Sequence, residues 1–158
     1  MTKFWIAAVT ALTTTALVPA AHAAAAQPIE LKGDVKVDKL VGEKGKERHV
    51  LVAPDVVIPG DKLVFATMYR NTGAIAVSNF VVTNPVPSGI AFEDSATPGL
   101  EVSVNGGKVW GKLAALRIAA GNGATRAALA GDVTHVRWSL PQVAPGGTGS
   151  VAFRAIVR

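Results

Sequence analysis

Short segments in which apolar residues recur at every second position constrain this chain more than any other feature. In PGDKLVFATMYRNTG (59–73), successive side chains of an extended strand alternate sides, and apolar residues fall on both sides. One side carries Leu63, Phe65 and Tyr69, and the other carries Val64, Ala66 and Met68. Such a strand needs cover on both faces. It is predicted to lie centrally in a stacked sheet, with a long loop or a neighbouring molecule over its outer face.

Other segments show the one-sided alternation of half-buried strands. The segment IELKGDVKVDKLV (29–41) predicts an early strand whose apolar face carries Ile29, Leu31, Val35 and Val37. The segment VTHVRWSL (133–140) directs Val136, Trp138 and Leu140 inward, and Pro141 is expected to end it. Further strands are predicted at 49–53, 79–83, 90–92 and 150–158.

Turn signals separate these segments. Pro145-Gly146 suits the central positions of a type II turn before the last strand. Asn105-Gly106-Gly107 predicts a hairpin that joins strands at 101–104 and 108–110. Four glycines interrupt the segment 111–131, which is predicted to be irregular. About seven or eight short strands with turns between them predict an all-β, immunoglobulin-like antiparallel β-sandwich.

The amino terminus has the layout of a secretory signal peptide. Lys3 precedes an apolar run, and Ala21-His22-Ala23 follows it as a small-residue cleavage site, which predicts cleavage after residue 23. Residues 24–56 are expected to belong to the same domain as the sandwich core, 57–158. The chain has no cysteine, so an exported product would depend on its core rather than on disulfides. We expect it in the periplasm, on the outer-membrane surface or outside the cell.

No group of residues predicts an active site, a metal or a cofactor. The mature chain has two histidines, His49 and His135, and neither has a second ligand at helical or hairpin spacing. No serine lies in a Gly-x-Ser-x-Gly elbow, and the adjacent acids Glu93 and Asp94 predict a solvated loop. The net charge of +5 is too small and dispersed to indicate nucleic acid binding. No segment after the signal peptide predicts a transmembrane helix.

One basic segment is a candidate binding surface. Between Glu101 and Asp132 the chain carries basic residues and no acid, which favours attraction of anions such as lipid headgroups or acidic polysaccharide. The alternative is ordinary solubilising charge in a loop-rich region. The candidate residues for an anionic surface are Lys108, Trp110, Lys112 and Arg117. Trp110 is interpreted either as a stacking residue at the surface or as part of the core.

From residue 57 to residue 157 the chain resembles a known bacterial family. The resemblance rests on the PGD turn with its strand and NTG break, then VVTNPVPSGIAF, and finally WSLPQVAPGGTGSVAFRAIV. In order and spacing these segments are similar to the conserved-repeat domain called domain of unknown function eleven. The resemblance implies an immunoglobulin-like sandwich of exported and cell-surface proteins, with no enzymatic activity. This chain departs from the family in having Asn84 where an Asp is common, and in carrying one copy.

Together these features predict a noncatalytic, exported structural or protein-interaction module of the bacterial cell envelope. It would act through a sandwich face or an exposed edge strand, with another envelope protein as partner. The alternative is a module that binds carbohydrate or an anionic surface such as lipopolysaccharide.

Overall fold

The computed structural model describes residues 28–121 and 123–158. Strands account for most of them: β1 Ile29–Val41, β2 Arg48–Val52, β3 Lys62–Asn71, β4 Val77–Pro85, β5 Ile90–Asp94, β6 Glu101–Ser103, β7 Arg117–Gly121, β8 Ala124–Ala127, β9 His135–Val143 and β10 Thr148–Val157. Two single-turn 3-10 helices, Leu113–Ala115 and Ala130–Asp132, flank the β7–β8 hairpin.

The strands form a larger sheet, a smaller sheet stacked on it, and one separate hairpin. The larger sheet has the order β2-β1-β3-β10-β5, the smaller has the order β4-β9-β6, and β7 pairs only with β8. Every pairing among the described strands is antiparallel. The all-β sandwich predicted from the sequence is confirmed, and its described part has ten strands instead of seven or eight.

The centre of the core lies between β9 and β10. Trp138 of β9 is 1% exposed, and its ring centroid lies 6.5 Å from that of Phe153 on β10. Phe153 also stacks on Phe65 of β3 at 4.9 Å. The predicted inward face of β9 is confirmed, because Val136 is fully buried beside Trp138. Burial of each such side chain stabilises the fold by about 1.5–3 kcal/mol relative to exposure.

Strand β3 is the middle strand of the larger sheet, as its two apolar faces predict. On the inner face Leu63 is buried and Phe65 is half-buried. On the outer face Val64 is half-buried, whereas Met68 is exposed. The outer cover is therefore partial, and it consists of side chains such as Leu51, which lines a small depression over Val64.

Two predicted features near β9 and β10 have different outcomes. The type II turn is confirmed, since Gly146 has a φ of +70° and the Gly147 N–H donates to the Ala144 carbonyl at 2.9 Å. The expected end of β9 at Pro141 is wrong, because the strand continues to Val143. Pro141 is tolerated because β6 pairs with β9 only at 135–137, and the β4 register has no paired residue opposite Pro141.

The predicted hairpin at 101–110 and the irregular segment 111–131 both need correction. Glu101–Ser103 forms β6, but it pairs with β9, and only the bridge between Val102 and Gly111 remains of the expected hairpin. The Asn105 side chain instead accepts hydrogen bonds from the Lys108 and Val109 N–H groups, which curls this segment into a compact loop. The described part of 111–131 contains the β7–β8 hairpin, because its glycines lie at the ends of short strands.

Strand β1 has the predicted bounds but not the predicted burial. Val37 is buried, whereas Leu31 on the same face is 52% exposed, so the expected inward burial of Leu31 is wrong. The smaller sheet does not extend over this part of β1. The predicted signal peptide, residues 1–23, lies outside the described residues. No helix among the described residues is long and apolar enough to cross a membrane.

Candidate binding cleft

Unequal sheets leave one flank of the sandwich open. The three strands of the smaller sheet stack on three of the five strands of the larger one. The amide of Asn84 on β4 donates to the Thr67 hydroxyl of β3 at 2.7 Å, which places β4 over β3. Trp138 places β9 over β10 in the same way, and Val102 of β6 shares the core with Phe92 of β5. The strands β1 and β2 consequently extend beyond the free edge of β4.

A cleft of about 550 Å³ opens between this extension and the smaller sheet. Its floor is the inner face of β1 and β3, at Gly33, Val35 and Phe65. Its far wall is formed by Asn84 and two prolines that follow, Pro85 and Pro87. The lining is mostly apolar, although Asp34 of β1 contributes to it. The Asn84 amide and the Thr67 hydroxyl already satisfy each other.

Gly33 is the unusual residue of the cleft. It lies inside β1, where a glycine weakens a strand relative to residues with side chains. Its φ is not in the left-handed region, so the backbone does not require glycine there. A Cβ built on Gly33 would have no atom within 4 Å. Neither local conformation nor packing within the described residues accounts for glycine at this position.

The free edge of β4 differs chemically from the other edges. The sequence carries no charged residue from Asn71 through Phe92, a stretch that contains all of β4. Among the described strands, the other edge strands of the two sheets are shorter and each carries charge: Arg48 in β2, Glu93 and Asp94 in β5, and Glu101 in β6. Charged side chains and prolines on an edge strand oppose pairing with other chains. The strand β4 lacks charge, and its Pro85 removes one donor at the end of the strand.

Two large apolar side chains of β1 and β2 are exposed on different faces of the larger sheet. Leu31 lies on the inner face of β1, whereas Leu51 of β2 pairs with Asp38 and lies on the outer face. Scattered apolar residues at a surface are ordinary. Leu31 is therefore the exposed apolar residue that bears on binding at the open flank, since it lies two residues from Gly33 on the same face.

The four predicted anion-binding residues lie around the opposite part of the smaller sheet. Lys108 and Arg117 are exposed, and neither makes an ion pair among the described residues. The Lys112 ammonium donates to the Leu100 carbonyl at 2.8 Å. Trp110 is half-buried and lies against the outer face of the smaller sheet. It is therefore neither a fully exposed stacking residue nor part of the core.

Trp110 belongs to a cluster that the sequence did not predict. The Arg137 guanidinium lies 4.5 Å from the Trp110 ring centroid, and the His135 ring meets the same indole edge-on at 6.4 Å. Arg137 also makes an ion pair with Glu101 at 2.9 Å. Glu101 thus balances the charge of Arg137 within the protein. The two residues meet because the register of β6 and β9 pairs Glu101 with Arg137. Only the pairing of β6 with β9 brings these residues together.

Two other ion pairs perturb acids in the described chain. Hydrogen bonds from the Arg126 side chain, and one from the Leu129 N–H, lower the pKa of Asp132 to about 2. Hydrogen bonds from Arg154 lower the pKa of Asp94. Both acids are held ionised by arginines, which is the opposite of what a general acid requires.

The two histidines of the mature chain, which the sequence does not predict to form a site, lie apart. The His49 ring contacts the Asp38 carboxylate at 2.8 Å at the surface, whereas His135 lies in the smaller sheet. Within residues 28–121 and 123–158, no group of three or more histidine or acidic side chains could hold a metal ion. The expected solvated loop at Glu93 and Asp94 is wrong, because both acids lie in β5, where Glu93 pairs with Lys62 and Asp94 pairs with Arg154.

A second groove, of about 730 Å³, crosses the outer face of the larger sheet. Its walls are two rows of cross-strand neighbours, Lys32, Met68 and Ser150 in one row and Glu30, Arg70 and Thr148 in the other. The groove carries charges of both signs together with apolar residues, Leu31, Met68 and Tyr69.

Comparison of the chain with protein-family profiles, curated proteins and solved structures found no match. The resemblance to the conserved-repeat domain therefore stays a prediction.

Proposed function

We propose that this protein is a noncatalytic, exported interaction module of the bacterial cell envelope, with another envelope protein as its partner. The observation that carries the proposal is the open flank of the sandwich, where β1 and β2 extend beyond the smaller sheet and Leu31 of the inner face is left 52% exposed. Apolar surface of this kind gains free energy when a partner removes it from water, at about 25 cal/mol per Å². The signal-like amino terminus supports export.

Fractionation of the source bacterium tests the location. An antibody against the processed chain should find it in the periplasm, on the outer-membrane surface or in the medium. The amino-terminal residue of the purified product should follow residue 23 or lie within a few residues of it. Recovery of the full-length chain in the cytoplasm would contradict the export part of the proposal.

Quantitative capture tests the interaction. The processed protein, immobilised at one terminus, should retain a defined envelope protein that rebinds after purification, as measured by titration calorimetry. Leu31→Lys should weaken this binding because it places a charge on the open flank, where Leu31 is 52% exposed and its replacement costs little folding energy. The matched control is Leu40→Lys, since Leu40 lies on the opposite face of β1 and is 61% exposed.

Equal loss of binding in both lysine variants would indicate a general effect of charge and would count against the open flank. No envelope protein that rebinds in purified form would count against the interaction function itself.

The second candidate is binding to carbohydrate or an anionic surface through Lys108, Trp110, Lys112 and Arg117. Lys108 and Arg117 favour it, since both are exposed and make no ion pair within residues 28–121 and 123–158. Lys108→Ala combined with Arg117→Ala should then weaken binding to lipopolysaccharide vesicles, more strongly at low salt than at high salt. Binding that is absent, or that survives both substitutions, would remove this candidate.

A further inference from the structure

We infer that the cleft between β1 and the free edge of β4 receives a single extended segment of another polypeptide, which pairs with β4 and packs its side chains over Gly33. The inference rests on the proposed interaction function and names the surface and the chemistry of the partner. In this arrangement the segment becomes a fourth strand of the smaller sheet, lying over β1.

The position of Gly33 supports a close approach at this place. The glycine faces the cleft, and a side chain there would meet nothing within 4 Å. A glycine inside a strand commonly marks a site where another backbone comes near, because a Cβ would occupy that space. Leu31 and Val35, its neighbours on the same face, would pack against alternate side chains of the added strand.

The chemistry of β4 supports pairing by main-chain hydrogen bonds. At an edge of an antiparallel sheet, the N–H and C=O groups of alternate residues point away from the neighbouring strand. The strand β4 offers these groups from Val77 to Thr83 without a charged side chain, whereas Pro85 at its end has a C=O but no N–H to contribute. The added segment therefore has no ion pair to make with β4, and it is expected to be uncharged and to carry apolar residues at alternate positions.

The extension of β1 and β2 beyond the free edge of β4 excludes a second copy of this sandwich as the occupant. If β4 of one copy paired antiparallel with β4 of another, the two smaller sheets would become continuous and both larger sheets would lie on the same side. Each β1 lies about 4.8 Å from its own β3, so in such a pair it would lie beneath β4 of the other copy. That space is already taken by β3 of the other copy. The space accommodates one strand and its side chains, not another two-layer domain.

The test uses a labelled peptide as long as β4, with alternating valine and threonine and a lysine at each end for solubility. Fluorescence anisotropy should show binding to the processed protein. Two N-methylated forms of the peptide, methylated at one or the other set of alternate residues, separate strand pairing from hydrophobic adsorption. Pairing with one edge uses the donors of one set only, so one form should lose binding and the other should keep it.

The protein variant is Gly33→Val, which fills the space over β1. It should weaken peptide binding by about tenfold or more while its thermal unfolding temperature stays equal or rises, because valine favours strands more than glycine does. Ser150→Val is the matched control, since Ser150 is an exposed residue on the outer face of β10, and it should leave binding unchanged.

The outcomes separate this inference from the proposed function. Binding that is equal in wild type and Gly33→Val would overturn the cleft but leave the interaction function to another surface. If both N-methylated forms bind, or if both fail to bind, pairing with an edge strand is overturned. The absence of peptide binding at millimolar concentration would overturn it as well. A dimer of the free protein that disappears in Gly33→Val would assign the cleft to a second copy and overturn the inference.

Discussion

Replacement of Asn71 tests how the end of β3 is fastened to the strands around the cleft. Asn71 is fully buried, and its side chain makes three hydrogen bonds. Its amide donates to the Ile75 carbonyl at 2.8 Å and to the Val143 carbonyl at 3.0 Å, and its carbonyl oxygen accepts from the Gly73 N–H at 2.9 Å. One side chain thus joins β3, the turn that leads to β4, and the end of β9.

The expected cost of Asn71→Ala follows from these contacts. The Val143 carbonyl is buried and would lose its donor, which costs about 1–3 kcal/mol. The hydrogen bonds to Ile75 and Gly73 are part-buried, and water can replace them in part, so each adds about 0.5–1.5 kcal/mol. We expect the free energy of unfolding to fall by about 2–6 kcal/mol.

Urea unfolding at neutral pH, followed by tryptophan fluorescence, measures the change. Asn84→Ala is the comparison, since the Asn84 side chain makes one hydrogen bond, to Thr67, and its loss should cost about 0.5–1.5 kcal/mol. Asn71→Asp should be more destabilising than Asn71→Ala at pH 7, because it points a carboxylate at two carbonyl oxygens. A loss below about 1 kcal/mol for Asn71→Ala would refute the reasoning.

Two further substitutions test the ion pair beside the second 3-10 helix and the close packing at one end of the sheet. Because Arg126 and the Leu129 N–H lower the pKa of Asp132 from 3.8 to about 2, this acid stabilises the fold above pH 3.8, and the contribution is lost as pH falls through about 2. Asp132→Asn should therefore lower the free energy of unfolding at pH 7, with the difference from wild type shrinking between pH 4 and pH 2 in urea titrations; a difference independent of pH would contradict this. Gly149→Ala should cost about 1–3 kcal/mol, since its methyl group would overlap the Tyr69 ring and hydroxyl. In the Tyr69→Val background the same substitution should cost less, and equal costs by thermal unfolding in both backgrounds would disprove the overlap.

The sequence predicted most of the strands correctly because their alternation is a local property. The bounds of β1 agree with its period-two pattern, and the turn at Pro145-Gly146 follows from the backbone preferences of its two residues. The same rules were wrong at Pro141, where the absence of paired neighbours on both sides makes a proline tolerable. That condition depends on distant strands, which no local pattern contains.

The candidate site was less accessible to sequence reasoning than the fold. The lone Gly33 within an alternating strand was a signal that could have been noticed, because glycine inside a strand often indicates close backbone approach. The absence of charge from Asn71 through Phe92 was equally visible. Neither observation pointed to a cleft until the strand order placed β4 at an edge and β1 beyond it.

The amino-acid sequence by itself determined that this chain forms short strands and reverses at particular turns, since side-chain alternation and backbone preference act over a few residues. Only the tertiary structure decided that β6 pairs with β9, that Trp110 lies against Arg137, and that three strands stack on five. Those outcomes depend on which sheet each strand joins. That choice is made by burial and hydrogen bonding summed over residues far apart in the chain.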